Sequence, residues 1–347
     1  MRRFVNIVIV MMMAVLLGGA CQRRPFAENR SRVVIALKIN TDIVNHTQEE
    51  LPENMRVDLY NPETSELVFT DYVGPTGGVI HPAPGVYDMI IYSIGSESTQ
   101  IQNESNYKTI EAYTNEVSSH LKSQLAQFLT KRSKAAMERN AKLLEPGDGS
   151  AVRTKDSEHY TEDLVVNQPD HIFVGWYHNL DIPVTFEDEP VKEVTIEIEA
   201  HTLVETWLVE IRNVEGTENV DEVAALVSGQ SGSVHMGPNA ATDKIVSVFF
   251  EMKLKTEDDG RKVIIGKYNS FGQHPGRIHE TILDLNVKNR GGGQQIFHFD
   301  VTDKVKDNPT RYILIEDPIK IDESGGGGGG FLPKVDDWED IHTDINL

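Results

Sequence analysis

The chain has 347 residues, 33 Lys+Arg against 54 Asp+Glu, a net charge of −21, and 39% hydrophobic residues. That length suits two domains of roughly 130–150 residues, each able to bury a core. The acidity excludes a nucleic-acid binder, which needs a basic face to release counterions. The modest apolar fraction excludes a polytopic membrane protein, and a single cysteine, Cys21, excludes a disulfide scaffold or a Cys-based zinc site.

Residues 1–20 read as an export signal. Arg2 and Arg3 are followed by the nearly continuous apolar run Val5–Leu17, which is too short to span a bilayer comfortably. Gly18, Gly19 and Ala20 then precede Cys21, the arrangement of a bacterial lipoprotein. The thiol takes a diacylglycerol, the signal is cut before it, and the new amine is acylated. Each buried acyl methylene is worth about 0.8 kcal/mol, so several chains together anchor stably. The pattern departs at one point: Gly18 stands where such signals usually carry Leu, and Leu17 lies one residue further out.

Residues 21–31 form a tether, and β patterning begins at 32. Val33, Ile35 and Leu37 alternate with Val34, Ala36 and Lys38, and Arg56–Tyr60 repeats the period of two. Residues 66–73 make a third strand, Gly74-Pro75-Thr76-Gly77-Gly78 a turn, and Val86–Ile94 a fourth strand that Pro84-Gly85 opens. A helix is expected over about 111–144, a stretch free of Gly and Pro, with an apolar stripe at Val117, Leu121, Leu125, Phe128 and Leu129. Its second half carries Lys131, Arg132, Lys134, Arg139 and Lys142, which reads as a solvated face or as a docking surface for an acidic partner or anionic headgroups. Ile172–Tyr177 closes the N-terminal unit, residues 32–186.

Pro183 and Pro190 bracket an acidic connector, Glu187-Asp188-Glu189, and a C-terminal unit is expected over 187–323. Strands alternate through 193–200, 207–211, 246–254, 283–287 and 297–301, with Asp259-Gly260 as a two-residue hairpin turn. The fold class is mostly β, built of paired sandwiches. Six glycines, 325–330, then make a soft linker spanning roughly 13 Å. The acidic tail 331–347 holds Val335, Trp338, Ile341 and Ile345, and reads as a strand that docks on a sheet edge of its own chain or of another.

Motifs for chemistry fail on spacing. Gly260–Lys267 has five residues between its glycines where a phosphate loop has four, and reads as a hairpin return strand. His279-Glu280 has Leu283 where a zinc protease has its second histidine, and Gly229-Gln230-Ser231-Gly232 is too short for a nucleophile elbow and reads as a turn. No calcium loop spacing occurs. The twelve histidines are scattered, so no catalytic residue, metal or cofactor is expected.

Cys21-Gln22-Arg23-Arg24-Pro25, Pro84-Gly85-Val86-Tyr87, Tyr107–Tyr113, Ala225–Met236 and Val335–Ile341 occur in an order that resembles a family of Bacteroidales lipoproteins of unknown function related to the fimbrillins and fimbrium anchor subunits. The resemblance implies two tandem transthyretin-like β-sandwich domains, the first with the long helix as an insertion. It implies a lipid on Cys21 holding the chain at the outer membrane, strand exchange with fimbrillin-like subunits, and a structural or adhesive role without catalysis. The alternative is a surface lipoprotein that captures glycans or other nutrients, with Trp176, Tyr177 or Tyr268 as stacking platforms.

Overall fold

The computed structural model describes residues 31–46, 51–125, 128–129, 164–185, 189–278 and 280–323. The signal, Cys21, the basic second half of the expected helix and the hexaglycine with its tail lie outside the described residues.

The chain is mostly β, as expected. The first large sheet has the strand order β3 (Leu67–Val73), β2 (Met55–Tyr60), β5 (Gly85–Ser93), β9 (Phe173–Ile182), β10 (Glu193–Thr202), β1 (Arg32–Ile39) and β4 (Gly77–Ile80). Only Pro75 and Thr76 separate the bridged pair Gly74 and Gly77, so the two ends of this order meet and the sheet curls around one core. Val33, Ile35 and Leu37 of β1 face Ile196, Ile198 and Ala200 of β10 and Met89 and Ile91 of β5 in that core. Strand β10 lies beyond the acidic connector, where the C-terminal unit was expected to begin. It nevertheless pairs in parallel with the whole length of β1, from Arg32↔Glu193 to Ile39↔Ala200. The reason is its alternation: the apolar face completes the first core, while Glu193 and Glu199 pair with Arg32 and Lys38 on the wet face.

The second large sheet runs β19 (Gln294–Asp300), β18 (Ile282–Asn289), β13 (Val220–Ser231), β16 (Ile245–Thr256), β17 (Lys262–Ser270), β11 (Glu205–Ile211) and β20 (Tyr312–Ile315), with β8 (Leu164–Val166) parallel to the start of β16. One face carries a core from Trp207, Val209, Phe250, Tyr268, Leu285 and Phe299, so strands at both ends of the order contribute to it. The reading of Gly260–Lys267 as a return strand holds in β17. Its hairpin is longer than the two residues expected: Glu257 N donates to Arg261 O, and Gly260, at φ 82°, takes the left-handed position. The reading of 229–232 as a turn is corrected. Gly229 and Gln230 belong to β13, where the register shifts between Val227 and Gln230, a bulge that Gly229 accommodates at φ 69°.

The helix begins later than expected. Glu111–Tyr113 is a strand, β7, held between β6 (Gln100–Gln102) and β14 (Ser233–His235) in a small sheet that β15 (Ala240–Ala241) completes. Helix α1 (Ser119–Gln124) starts at Ser118, whose Oγ accepts from Leu121 N, and Leu125 N and Leu129 N continue the helical bonding. Its apolar stripe is real: Val117, Leu121, Leu125 and Phe128 bury against Ala224, Leu226 and Phe249, on the other face of the eight-stranded sheet. Val117 N bonds Val165 O and Asn167 N bonds Asn115 O, so the intervening segment leaves and returns at one place.

Candidate functional site: strand edges and a polar pocket

The expected site residues Cys21, Val335, Trp338, Ile341 and Ile345 all lie outside the described residues, but the points where their segments join the fold are visible. At the N-terminal end, the Ser31 hydroxyl donates to Pro183 O at 2.6 Å and contacts Thr185 Oγ1 at 2.6 Å. The chain then enters β1, which is hydrogen-bonded on both sides. The segment from Cys21 to Ser31 reaches at most about 33–36 Å when extended. At the C-terminal end, β21 (Ile319–Lys320) pairs with β12 (Val214–Glu215), and Ile321 is in the core. Asp322 N donates to Gln295 Oε1 at 2.8 Å, and Asn289 Nδ2 to Asp322 O at 2.8 Å. The root of the tail is therefore fixed beside β19. Among the described residues, β19 and β20 each have a sheet neighbour on one side only.

Register builds a second feature on the first sheet. Arg56 of β2 stands opposite Tyr72 of β3 and Tyr92 of β5, forming a cross-strand row on the face away from the first core. Exposure falls along the row, from Tyr72 at 54% to Tyr92 at 1%. One step along β2, the fully buried Asp58 accepts from Arg56 Nε at 3.0 Å, Thr70 Oγ1 at 2.7 Å and Tyr92 OH at 2.7 Å. Glu104 takes Arg56 Nη1 at 2.5 Å, and its carbonyl accepts from Tyr60 OH at 3.0 Å. Burial opposes the Arg56 charge, yet Tyr92, Asp58 and Glu104 hold the guanidinium above its ordinary range. Burial first, then the Asp58 charge, push the Tyr60 and Tyr92 phenols far up, so both remain donors. Over this cluster opens a pocket of about 340 Å³, walled by Tyr72, Ile94, Ser96, Gln100 and Glu104. None of these residues was expected. The available signal was Arg56 and Asp58 on one face of an otherwise apolar strand, where two charges need a reason.

The expected aromatic platforms are not brought together. Tyr268 is fully buried between Trp207 and Phe250, Trp176 donates its indole N–H to Met236 O at 2.8 Å, and Tyr177 packs on the first core. Among the described histidines, His46 meets the His171 ring edge-on with centroids 4.7 Å apart. His171 lies between Thr202 and Thr206, His274 contacts Thr242 O, and His298 contacts the buried Asp284 at 2.6 Å. Among the described residues no three His, Cys, Asp or Glu side chains are grouped as metal ligands.

A provisionally named fimbrium anchoring subunit of Bacteroides ovatus, Fim4B, is 30% identical over 106 residues, which is 30% of this chain and 31% of that relative. The chain thus matches less than a third of the length of that relative. The crystal structure of a protein provisionally described as an adhesin from Bacteroides ovatus shares the fold, with a TM-score of 0.53 and 22% identity over 86% of this chain and 94% of that one. The fimbrial anchor protein Mfa2 of Porphyromonas gingivalis is more distant, with a TM-score of 0.46 and 11% identity over 81% of this chain and 86% of that one. The model of a domain of unknown function, DUF5119, matches residues 20–251, well over half of the sequence, and the chain belongs to that family.

Proposed function

We propose that the chain is a lipid-anchored cell-envelope protein of the fimbrillin-like class, a non-catalytic anchor, accessory or tip subunit. In this reading its two large sheets are tandem transthyretin-like units that divide after β10, and the excursion between 118 and 163 is an insertion. The observation that carries the reading is where the chain ends are rooted. The segment from Cys21 enters β1 inside the first sheet, and the tail leaves from Asp322 beside the open edge of β19 in the second. A tether at one sheet and a free strand at the other pass load through the whole β body, as a subunit fixed to a membrane and to its neighbours requires. Kinship with a fimbrium anchoring subunit supports it.

Cys21 carries the acyl chains in the outer membrane. The tail docks through Val335, Trp338, Ile341 and Ile345 on a sheet edge, with β19 nearest its root; burying each of these side chains gains about 1.5–3 kcal/mol. Other fimbrillin-like subunits are partners through the same strand. Cys21→Ala should move the protein from the membrane fraction to a soluble pool; retention in the outer membrane after a salt wash would refute the anchor. Truncation at Ser324 and Trp338→Ala should each lower the melting temperature if the tail docks on its own chain, or abolish assembly while sparing the monomer if it docks on a neighbour. A tail whose removal changes neither has no docking role.

A further inference from the structure

We propose that the pocket over Arg56 and Asp58 is a binding site for a neutral saccharide. The inference does not depend on how the chain is anchored or assembled, since it rests on this wall of the first sheet alone. Tyr72, 54% exposed, presents a ring at the rim from β3, and Ile94, 61% exposed, is an apolar contact on the opposite connection. A ring so exposed at the mouth of a polar cleft suits the C–H face of a pyranose, which is apolar while its edge is ringed by hydroxyls. The floor is polar and rigid. Arg56 is clamped by Asp58 and Glu104, Ser96 Oγ donates to Asp170 at 2.5 Å, and Gln100 Oε1 accepts from Tyr113 OH at 2.6 Å. These bonds fix planar groups before a ligand arrives, so little ordering cost falls on binding.

Charge selects the class. The carboxylates of Asp58 and Glu104 flank the one guanidinium, which disfavours an anion. The guanidinium lies at the floor and disfavours an ammonium group. A ligand with many hydroxyls and no charge meets neither penalty, and each hydroxyl can both donate to a carboxylate and accept from Arg56 or the Gln100 amide. The volume of about 340 Å³ is at the lower end of small-molecule sites, roughly 300–1,000 Å³. It suits a short saccharide and not a folded partner.

The test is a glycan array with the purified full chain, followed by calorimetric titration of the best neutral oligosaccharide. Sialylated and sulfated oligosaccharides and a polyamine serve as charged probes. The expected result is binding confined to neutral saccharides. It should weaken at least tenfold in Tyr72→Ala, an exposed position whose loss leaves the melting temperature unchanged, and again in Glu104→Gln. Absence of neutral saccharide binding at millimolar concentration overturns the proposal. So does binding that Tyr72→Ala and Glu104→Gln leave intact, or a preference for the acidic or cationic probes.

Discussion

Among the described residues the buried carboxylates Glu111 and Glu210 are ion-paired, and the pairing shifts their titration. Burial pushes the Glu111 carboxyl up, but bonds from Lys244, Ser233 and Gln102 outweigh it and hold the group below its usual value of 4.5. Glu210 behaves alike: burial raises it, and Tyr312 and Arg212 lower it further. A carboxylate with a depressed folded pKa contributes stability that is fully present above the unfolded value. That contribution is lost as pH falls through the folded value. Glu111→Gln should therefore lower the melting temperature at pH 7, and the gap from the parent should close as pH falls below 4.5. Because Lys244 is half exposed, the loss at neutral pH should be near the low end for a charged hydrogen bond, roughly 1 kcal/mol. Melting curves of both proteins between neutral and acid pH check the sign; a gap that widened on acidification would contradict it. At Asp58 the stakes are higher. Asp58→Ala strands Arg56 beside Tyr92 with only Glu104, and should cost about 3–5 kcal/mol in denaturant titration.

Elements are held by their turns as well as their faces, and two glycines show the difference. Gly77 starts β4 at φ 102°, and a Cβ there would lie 1.9 Å from Ile35 O of β1. Gly77→Ala has to break the β1–β4 pairing or distort the turn after β3, so a loss of at least about 2 kcal/mol is expected. Gly260 has nearly the same need for a left-handed backbone, at φ 82°, but nothing within 4 Å of an added Cβ. Gly260→Ala should cost only about 1 kcal/mol. Urea titrations of the two variants should rank them in that order, and equal losses would show that the contact with β1 is not what makes Gly77 necessary.

At the scale of the molecule, the two halves of the chain are stitched together. Strand β10 completes the first sheet from beyond the acidic connector, and β8 reaches from the N-terminal half to lie on β16. The small sheet takes β6 and β7 from one half and β14 and β15 from the other. Behind it, Tyr60, Ile90, Tyr92 and Val174 pack with Val204, Val234, Met236 and Phe271 in one apolar cluster. A fragment covering 31–186 should consequently fail to melt cooperatively, because β1 lacks its parallel partner and β7 its neighbour β14. Circular dichroism of that fragment is the check, and a cooperative transition matching the first part of a full-chain melt would refute the stitching. The full chain should unfold in a single transition.

Local patterning by itself determined where most strands lie. Alternation at Val33–Leu37, Val194–Ala200, Val246–Leu254 and Leu283–Val287 needs no distant information, since one wet and one dry face impose a period of two on any such strand. The stripe from Val117 to Leu129 was legible for the same reason at the helical period. Gly74 and Pro75 marked a turn, but the turn is shorter than the expected 74–78, because Gly77 and Gly78 pair with β1 as the start of β4. The tertiary structure alone decided which strands are neighbours. An apolar face carries no label for its partner, so β10 read as the opening of a second unit although its register belongs to β1. Glu111–Tyr113 read as helix because three residues show no clear period, and pairing with β14 more than a hundred positions away made them a strand. The pocket was illegible for a related reason. Tyr72, Arg56 and Tyr92 are scattered in sequence, and only the antiparallel register of β3, β2 and β5 places them in one row, with Asp58 buried beside them.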